Sequence, residues 1–252
     1  MTDTKTLAYI NMYAILGTLE NLCELVPEAS DLLKGKKPVS IGFDVKGGPS
    51  ATLFFKNGKC RMEQGVDNCD IKLPFSSPAK FNGLIDGTVT PIPSKGFTHI
   101  KFLLNEFTKL TDILTKYMKP EPEALSDREF FVRSTSLMLS AITVAVAQIA
   151  NNDSIGKFTA SHIVDGDIAL LIKDGPGTTL RVKDHRLLGI KAPPENPRAI
   201  MEFKSIELAR DLFDGNVNAV ASIGDGSIRM SGMISMIDNL NRLLDRVALY
   251  LA

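Results

Sequence analysis

The sequence states one pattern twice, and that repetition constrains the fold more than any other feature. An alternating apolar strand runs into a glycine-proline turn at Phe43-Asp44-Val45-Lys46-Gly47-Gly48-Pro49 and again at Leu170-Leu171-Ile172-Lys173-Asp174-Gly175-Pro176. Leu84-Ile85-Asp86-Gly87 is answered by Leu212-Phe213-Asp214-Gly215, and the closing apolar series Phe107, Leu110, Ile113, Leu114 by Ile237, Leu240, Leu243, Leu244. The interval grows from 127 residues at the turn (49 to 176) through 128 at the aspartates (86 to 214) to 130 in the last helix (114 to 244), a drift that short loop insertions explain. Such an interval is too long for a solenoid repeat and gives each copy enough chain to enclose a core, so the sequence predicts two tandem domains of one fold, residues 1–119 and 126–252.

Each copy opens with a long apolar helix, Thr6 to Val26 and Asp127 to Ala150, the second introduced by a capping box in which Ser126 and Glu129 satisfy orphan amides. Lys119-Pro120-Glu121-Pro122-Glu123, unable to continue a helix, reads as the linker. After Pro27 a short turn is expected over Ala29 to Lys34. Val39, Ile41, Phe43 and Val45 then alternate with smaller or polar residues as in a half-buried strand. Ala51 to Lys56 and Lys59 to Gln64 flank Asn57-Gly58, a dipeptide suited to a two-residue hairpin turn, and a fourth strand at Asp70 to Leu73 would complete an antiparallel meander. Ser76-Ser77-Pro78 opens a short helix, and a fifth strand leads into the last helix. The second copy repeats the order, with strands around Ile168 to Lys173, Thr178 to Val182, Leu187 to Lys191 and Ala199 to Phe203. A helix capped by Ser205, a strand over Ser227 to Ser231 and a helix from Met233 follow. The expected fold class is α+β.

Composition removes several functions. Lys+Arg and Asp+Glu are equal at 29 each, leaving no basic excess to neutralise a nucleic-acid backbone. The three cysteines, Cys23, Cys60 and Cys69, are too few and irregular for a disulfide framework or a zinc site, which points to small buried residues in a reducing, cytoplasmic setting; no metal or cofactor is expected. The N-terminal residues do not read as a signal peptide. Ser134 to Ala150 carries no charge and is apolar nearly all round, but it is short for a bilayer and holds six hydroxyl or amide residues. It therefore reads as a buried helix, and as the surface through which a homodimer would form.

The succession of residues resembles the sterol carrier protein family, also called the non-specific lipid-transfer proteins, along nearly the whole chain in two copies. The second copy carries the resemblance more clearly, in Ile168-Ala169-Leu170-Leu171-Ile172-Lys173-Asp174-Gly175-Pro176-Gly177, Phe213-Asp214-Gly215-Asn216-Val217-Asn218 and Ile228-Arg229-Met230-Ser231-Gly232. The resemblance implies, in each domain, a five-stranded, mostly antiparallel sheet covered by helices. It also implies a hydrophobic tunnel between the two that accepts acyl chains or sterols, without catalytic residues. The first copy departs from it: Leu104 stands where the second has Gly232, and Pro91 and Pro93 interrupt the approach to the fifth strand.

The candidate ligand wall of the second copy comprises Met230, Met233 and Met236 at three-residue spacing ahead of Ile237 and Leu240, facing Phe203, Leu208, Leu212 and Phe213. Methionine adapts its shape to its neighbour, which suits a cavity for varied tails. In the first copy the wall would be Phe81, Leu84, Ile85, Phe102, Phe107 and Leu110, more aromatic and so with less void. Burial alone suffices for binding: a tail of about fifteen methylenes offers roughly 12 kcal/mol, against at least about 4 kcal/mol of association cost. Ser161, His162 and Asp165 are the residue types of a nucleophilic triad, but sequence neighbours seldom face one another, so a surface loop is expected. The expected function is intracellular binding or carriage of a fatty acid, acyl-CoA or sterol-like ligand, with transient membrane contact. The alternative is a non-enzymatic accessory module presenting a hydrophobic substrate to a partner enzyme.

Overall fold

The computed structural model describes residues 2–251. The first helical run begins where Asp3 accepts the Thr6 N–H, and it is not a plain α-helix. It comprises α1 (Thr4–Ile10), a π-turn (Asn11–Ile15), a 3-10 turn (Leu16–Thr18) and α2 (Leu19–Leu25). Val26 turns to extended backbone and Pro27 starts α3 (Pro27–Leu33), as a proline at the first helical position can.

Four strands follow, β1 (Val39–Val45), β2 (Ser50–Lys56), β3 (Lys59–Gln64) and β4 (Ile71–Phe75). Asn57 and Gly58 both take positive φ in the hairpin turn between β2 and β3. The sheet order is β3-β2-β1-β4, with β4 parallel to β1, so the expected meander is corrected: the chain crosses back to the far edge of β1. Asp70 holds it there, its carboxylate accepting both the Ser40 N–H and the Ser40 hydroxyl at 2.8 Å. Cys60 and Cys69 therefore lie toward opposite edges of the sheet, and all three cysteines are buried and free. Helix α4 (Pro78–Ile85), capped by Ser77, packs against α1 and β4.

The second half rebuilds this arrangement. Helix α7 (Arg128–Asn152) leads to α8 (Ser154–Ala160), then β5 (Gly166–Ile172), β6 (Gly177–Lys183), β7 (Arg186–Ile190), β8 (Ala199–Phe203) and α9 (Ile206–Phe213). Asp184 and His185 take the positive-φ turn positions that Asn57 and Gly58 hold in the first half. Two elements had no expectation, α8 and α10 (Ala219–Gly224). The last two are β9 (Ile228–Gly232) and α11 (Ile234–Leu251). The sheet order β7-β6-β5-β8-β9 is the first order with one strand added.

Each half is thus α+β, a sheet covered by helices, but the first sheet has four strands rather than five. The reason is legible in the second. There Arg198 C=O accepts from Met233 N–H and Lys204 N–H donates to Ser227 C=O, so every second residue of β8 bonds across to β9, including Glu202 opposite Arg229. In the first half Lys72 bridges Lys95, and the same register sets Pro74 against Pro93 and Ser76 against Pro91. Prolines supply no N–H, so the ladder ends after one bridge. Gly96, at φ 91 with its Cα against Asp70 C=O, is the counterpart of Gly232, at φ 82 against Arg198 C=O; the expected match of Gly232 with Leu104 is corrected. From Gly96 the chain turns at once into helix: a 3-10 turn (Phe97–His99), α5 (Ile100–Phe102), a π-turn (Leu103–Phe107) and α6 (Thr108–Met118).

The chain separates into two compact units that meet at Arg133 and Ser134, inside α7. The first turn of α7 belongs with the first unit because Phe130 stacks on Tyr117 of α6, ring centres 4.4 Å apart. By length and composition α7 is the one candidate membrane span among the described residues, yet 61% of its apolar window is buried inside the protein. Leu137, Leu139, Val146 and Ile149 are among those buried side chains.

Candidate functional site

The layer between sheet and helices is where the two units differ. In the first, strands and helices send phenylalanines into it. Phe43 of β1 lies 6.3 Å from Phe81 of α4 and 6.1 Å from Phe107, Phe75 of β4 lies 5.2 Å from Phe81, and Phe55 of β2 sits 5.3 Å from Phe102 and 6.1 Å from Phe107. These tilted and edge-on pairs make one continuous ring cluster. Of the sequence-predicted wall, Phe81, Phe107 and Leu110 are buried, while Leu84, Ile85 and Phe102 are half-buried.

The strand registers give each position its counterpart. Phe43 pairs with Ala51 as Leu170 pairs with Thr178, Phe55 with Cys60 as Val182 with Leu187, and Val45 with Phe75 as Ile172 with Phe203. Ser77 and Ser205 cap the helices that hold Phe81 and Ala209 four residues on. Three of the rings, Phe43, Phe55 and Phe81, are therefore Leu170, Val182 and Ala209 in the second unit, and only Phe203 retains one. The last helix follows suit, for the buried face of α11 begins Met236, Ile237, Leu240, Leu243 where the first unit offers Phe102 and Phe107.

The structure gathers the sequence-predicted residues of the second unit around β8 and β9. Phe203 is buried on β8, its ring 6.1 Å from Phe213 at the end of α9. Met230 of β9 pairs with buried Met201, which places it on the helix-covered face of an edge strand. Helix α11 packs on β8 and β9, with Met236, Ile237 and Leu240 fully buried, and α9 packs on β8. Leu208, Leu212, Phe213, Met230 and Met233 are only half-buried. Met230 lies in β9, as the expected strand over Ser227 to Ser231 has it, and Met233 stands one residue ahead of α11, so the three-residue spacing spans a strand-to-helix turn.

Polar anchors fix the helices over this layer, and the sequence reading missed them. Arg210 of α9 is buried, donates to the Ser134 hydroxyl at 2.8 Å and pairs with Asp214 at 2.6 Å. Asn82 holds the same place in the first unit and bonds Asn11 and the Thr4 carbonyl. Asp153, also buried, caps α8 at Gly156 N–H and accepts from Arg246 and from the Tyr250 hydroxyl, both at 2.7 Å, which ties α11 to α8. Burial would raise its carboxyl pKa, but the bonds from Arg246, Tyr250 and Gly156 outweigh that and hold it below the ordinary value. The signal was present in the unusual mid-helix pairing of Arg246 with Tyr250, four residues apart, but a remote partner like Asp153 is invisible to spacing.

Of the triad residue types two do meet, contrary to expectation, with Ser161 Oγ 3.3 Å from His162 Nδ1, but Asp165 does not complete the set. The His162 ring faces the Phe158 carbonyl at 2.8 Å, and the Asp165 carboxylate accepts from Asp184 N–H. Burial pushes the Cys23 thiol up to about 12, which removes it as a nucleophile at neutral pH.

No family model and no curated protein matches the chain. Among solved structures it is similar to a UbiJ-SCP2 ubiquinone synthesis protein, with a TM-score of 0.33 and 14% identity over 41% of this chain and 93% of that one. It is similar also to sterol carrier protein 2 like 2 from Aedes aegypti, with a TM-score of 0.30 and 12% identity over 41% of this chain and 94% of that one. For the apo form of sterol carrier protein 2 from Yarrowia lipolytica the TM-score is 0.31 and the identity 18%, over 44% and 89%. Each spans less than half of this chain.

Proposed function

We propose that the protein binds and carries a hydrophobic small molecule, an acyl lipid or sterol-like compound, in the second unit alone. The observation that supports this is the loss of rings from the layer between sheet and helices: Phe43, Phe55 and Phe81 in the first unit against Leu170, Val182 and Ala209 in the second. Beside the thinned layer, Leu208, Leu212, Phe213, Met230 and Met233 keep part of their apolar surface in reach of solvent. Burying a ligand there removes that surface from water as well as its own, and burial is worth about 25 cal/mol per Å². The reading needs no catalytic group, and it agrees with the sterol-carrier resemblance of the sequence.

The test is to extract the freshly purified protein with organic solvent, identify what is released by mass spectrometry, and titrate stripped protein with a fluorescent fatty acid. One ligand per chain is expected, with loss of binding in Ala209→Phe, which puts back the ring of the first unit, and retained binding in Phe81→Leu. Two equivalents per chain would overturn the assignment to one unit. Stripped protein that takes up neither fatty acid nor a fluorescent sterol would overturn the carrier reading and leave an accessory module as the better one.

A further inference from the structure

We propose that the first unit docks on anionic membrane surfaces through the segment that replaces its fifth strand. Three of the most exposed large apolar residues lie there: Ile92 is 77% exposed, and Phe97 and Leu104 are each 66% exposed. Phe97, Lys101 and Leu104 follow one another at helical spacing, so an aromatic ring, a lysine and a leucine project from one face of the run that begins at Phe97. The opposite face, with Leu103 and Phe107, is buried in the ring cluster, which makes the run a rigid mount.

Charge selects the occupant. From Pro91 to Lys109 the charged residues are Lys95, Lys101, Glu106 and Lys109. The one acid is already paired, with Lys36 at 2.6 Å; ahead of the segment, exposed Asp86 stands five residues before Pro91, and Asp70 is turned onto Ser40. The next acid, Asp112, stands two turns beyond Leu104. The chain as a whole has no net charge, so the lysine excess beside these exposed apolar residues, Lys101 and Lys109 together with Lys95, whose ammonium donates to the Cys69 carbonyl, is a local arrangement. Apolar anchors ringed by lysines fit an anionic bilayer interface, where the rings enter the headgroup boundary and each nearby lysine strengthens binding roughly fivefold. In the second unit the residues matching the stretch up to Gly96 form β9, and the run that follows enters α11, where Met236, Ile237 and Leu240 are buried and, as far as Leu240, Ile234 is the one exposed large apolar residue. This inference rests on the first unit and is independent of the ligand site, although a carrier that must reach a donor membrane would use it.

The experiment is co-sedimentation of the full-length chain with vesicles of phosphatidylcholine alone and of phosphatidylcholine with phosphatidylserine in a ratio of about 2:1. Binding to the anionic vesicles only is expected, falling at high salt, roughly fivefold weaker in Lys101→Gln and lost in Phe97→Ser/Leu104→Ser. Ligand retention, measured on the same samples, should be unchanged in both variants. No binding to anionic vesicles, or binding that the double variant leaves intact, would overturn the proposal, the former pointing to a protein partner for this surface. Loss of ligand in wild type with intact vesicle binding would sink the carrier reading and not this one.

Discussion

The two units share a scaffold down to strand register and capping serines, yet differ in two places: what fills the layer under the helices, and what borders the fourth strand. In the first unit six phenylalanines interlock and the sheet stops at β4. In the second the rings thin to aliphatic residues and β9 extends the sheet. The strands and caps carry the fold, and the core volume and one edge are free to diverge. Two units can keep one arrangement of strands and caps while the residues between sheet and helices differ.

The largest break in the comparison is expected at the position before α3 and α8, where the first unit has Val26 and the second Asp153. Asp153→Ala leaves Arg246 buried without its carboxylate and should destabilise the second unit by about 3–5 kcal/mol, whereas Val26→Ala should cost less than half of that. Urea unfolding followed separately in each unit checks this. The pH dependence carries the same signature. The folded carboxyl titrates below its ordinary value, so its contribution is fully present above that ordinary value and fades as the pH falls through the lowered folded one. Asp153→Asn should be less stable at neutral pH and flatter across that acid window, and an unchanged acid limb would remove the carboxylate from the account.

Next in size is the ring cluster. Phe81→Ala in the first unit should cost about 3–5 kcal/mol, since the ring is fully buried among Phe43 and Phe75. The reciprocal Ala209→Phe separates two states of the second unit. Where the layer is densely packed, the added ring costs about 1–3 kcal/mol; where it has room, the change is smaller and ligand binding is what disappears. Thermal unfolding of the stripped variant reads the difference directly.

How much of this was legible in the sequence varied with the range of the interactions. Turn chemistry at Asn57-Gly58, the capping serines Ser77 and Ser205 and the alternation through β1 act within a few residues, and elements expected from them are present. The parallel return of β4 was not legible, because its place is fixed by Asp70 reaching Ser40, thirty residues away. Nor was the grip of Asp153 on Arg246 and Tyr250, which closes only when α11 packs on α8. The prolines that end the first sheet were visible, at Pro91 and Pro93, but their consequence needed the register that sets Pro93 against Pro74. The site residues were legible as an apolar set, but a spacing of three says nothing about how the strand that holds Met230 turns into the helix that holds Met236.

The sheet edge gives the smallest effect and the sharpest control. Glu202→Pro removes a donor that β8 gives to β9, in a strand flanked on both sides, and should cost on the order of 1–3 kcal/mol as the Arg229 carbonyl loses its partner. The mirror change, Pro74→Glu, supplies that donor to β4 in the first unit but finds no acceptor strand, because Pro93 and Pro91 still break the opposite side. Its effect should stay within about 0.5 kcal/mol, as for an exposed position away from packing. Both are read from urea midpoints at constant slope. If Pro74→Glu instead stabilised the first unit by more than about 1 kcal/mol, the edge would be closing on its own and β4 would no longer owe its exposed edge to proline. The exposed run through Phe97 and Leu104 would then be a by-product of one residue rather than of the segment that follows it.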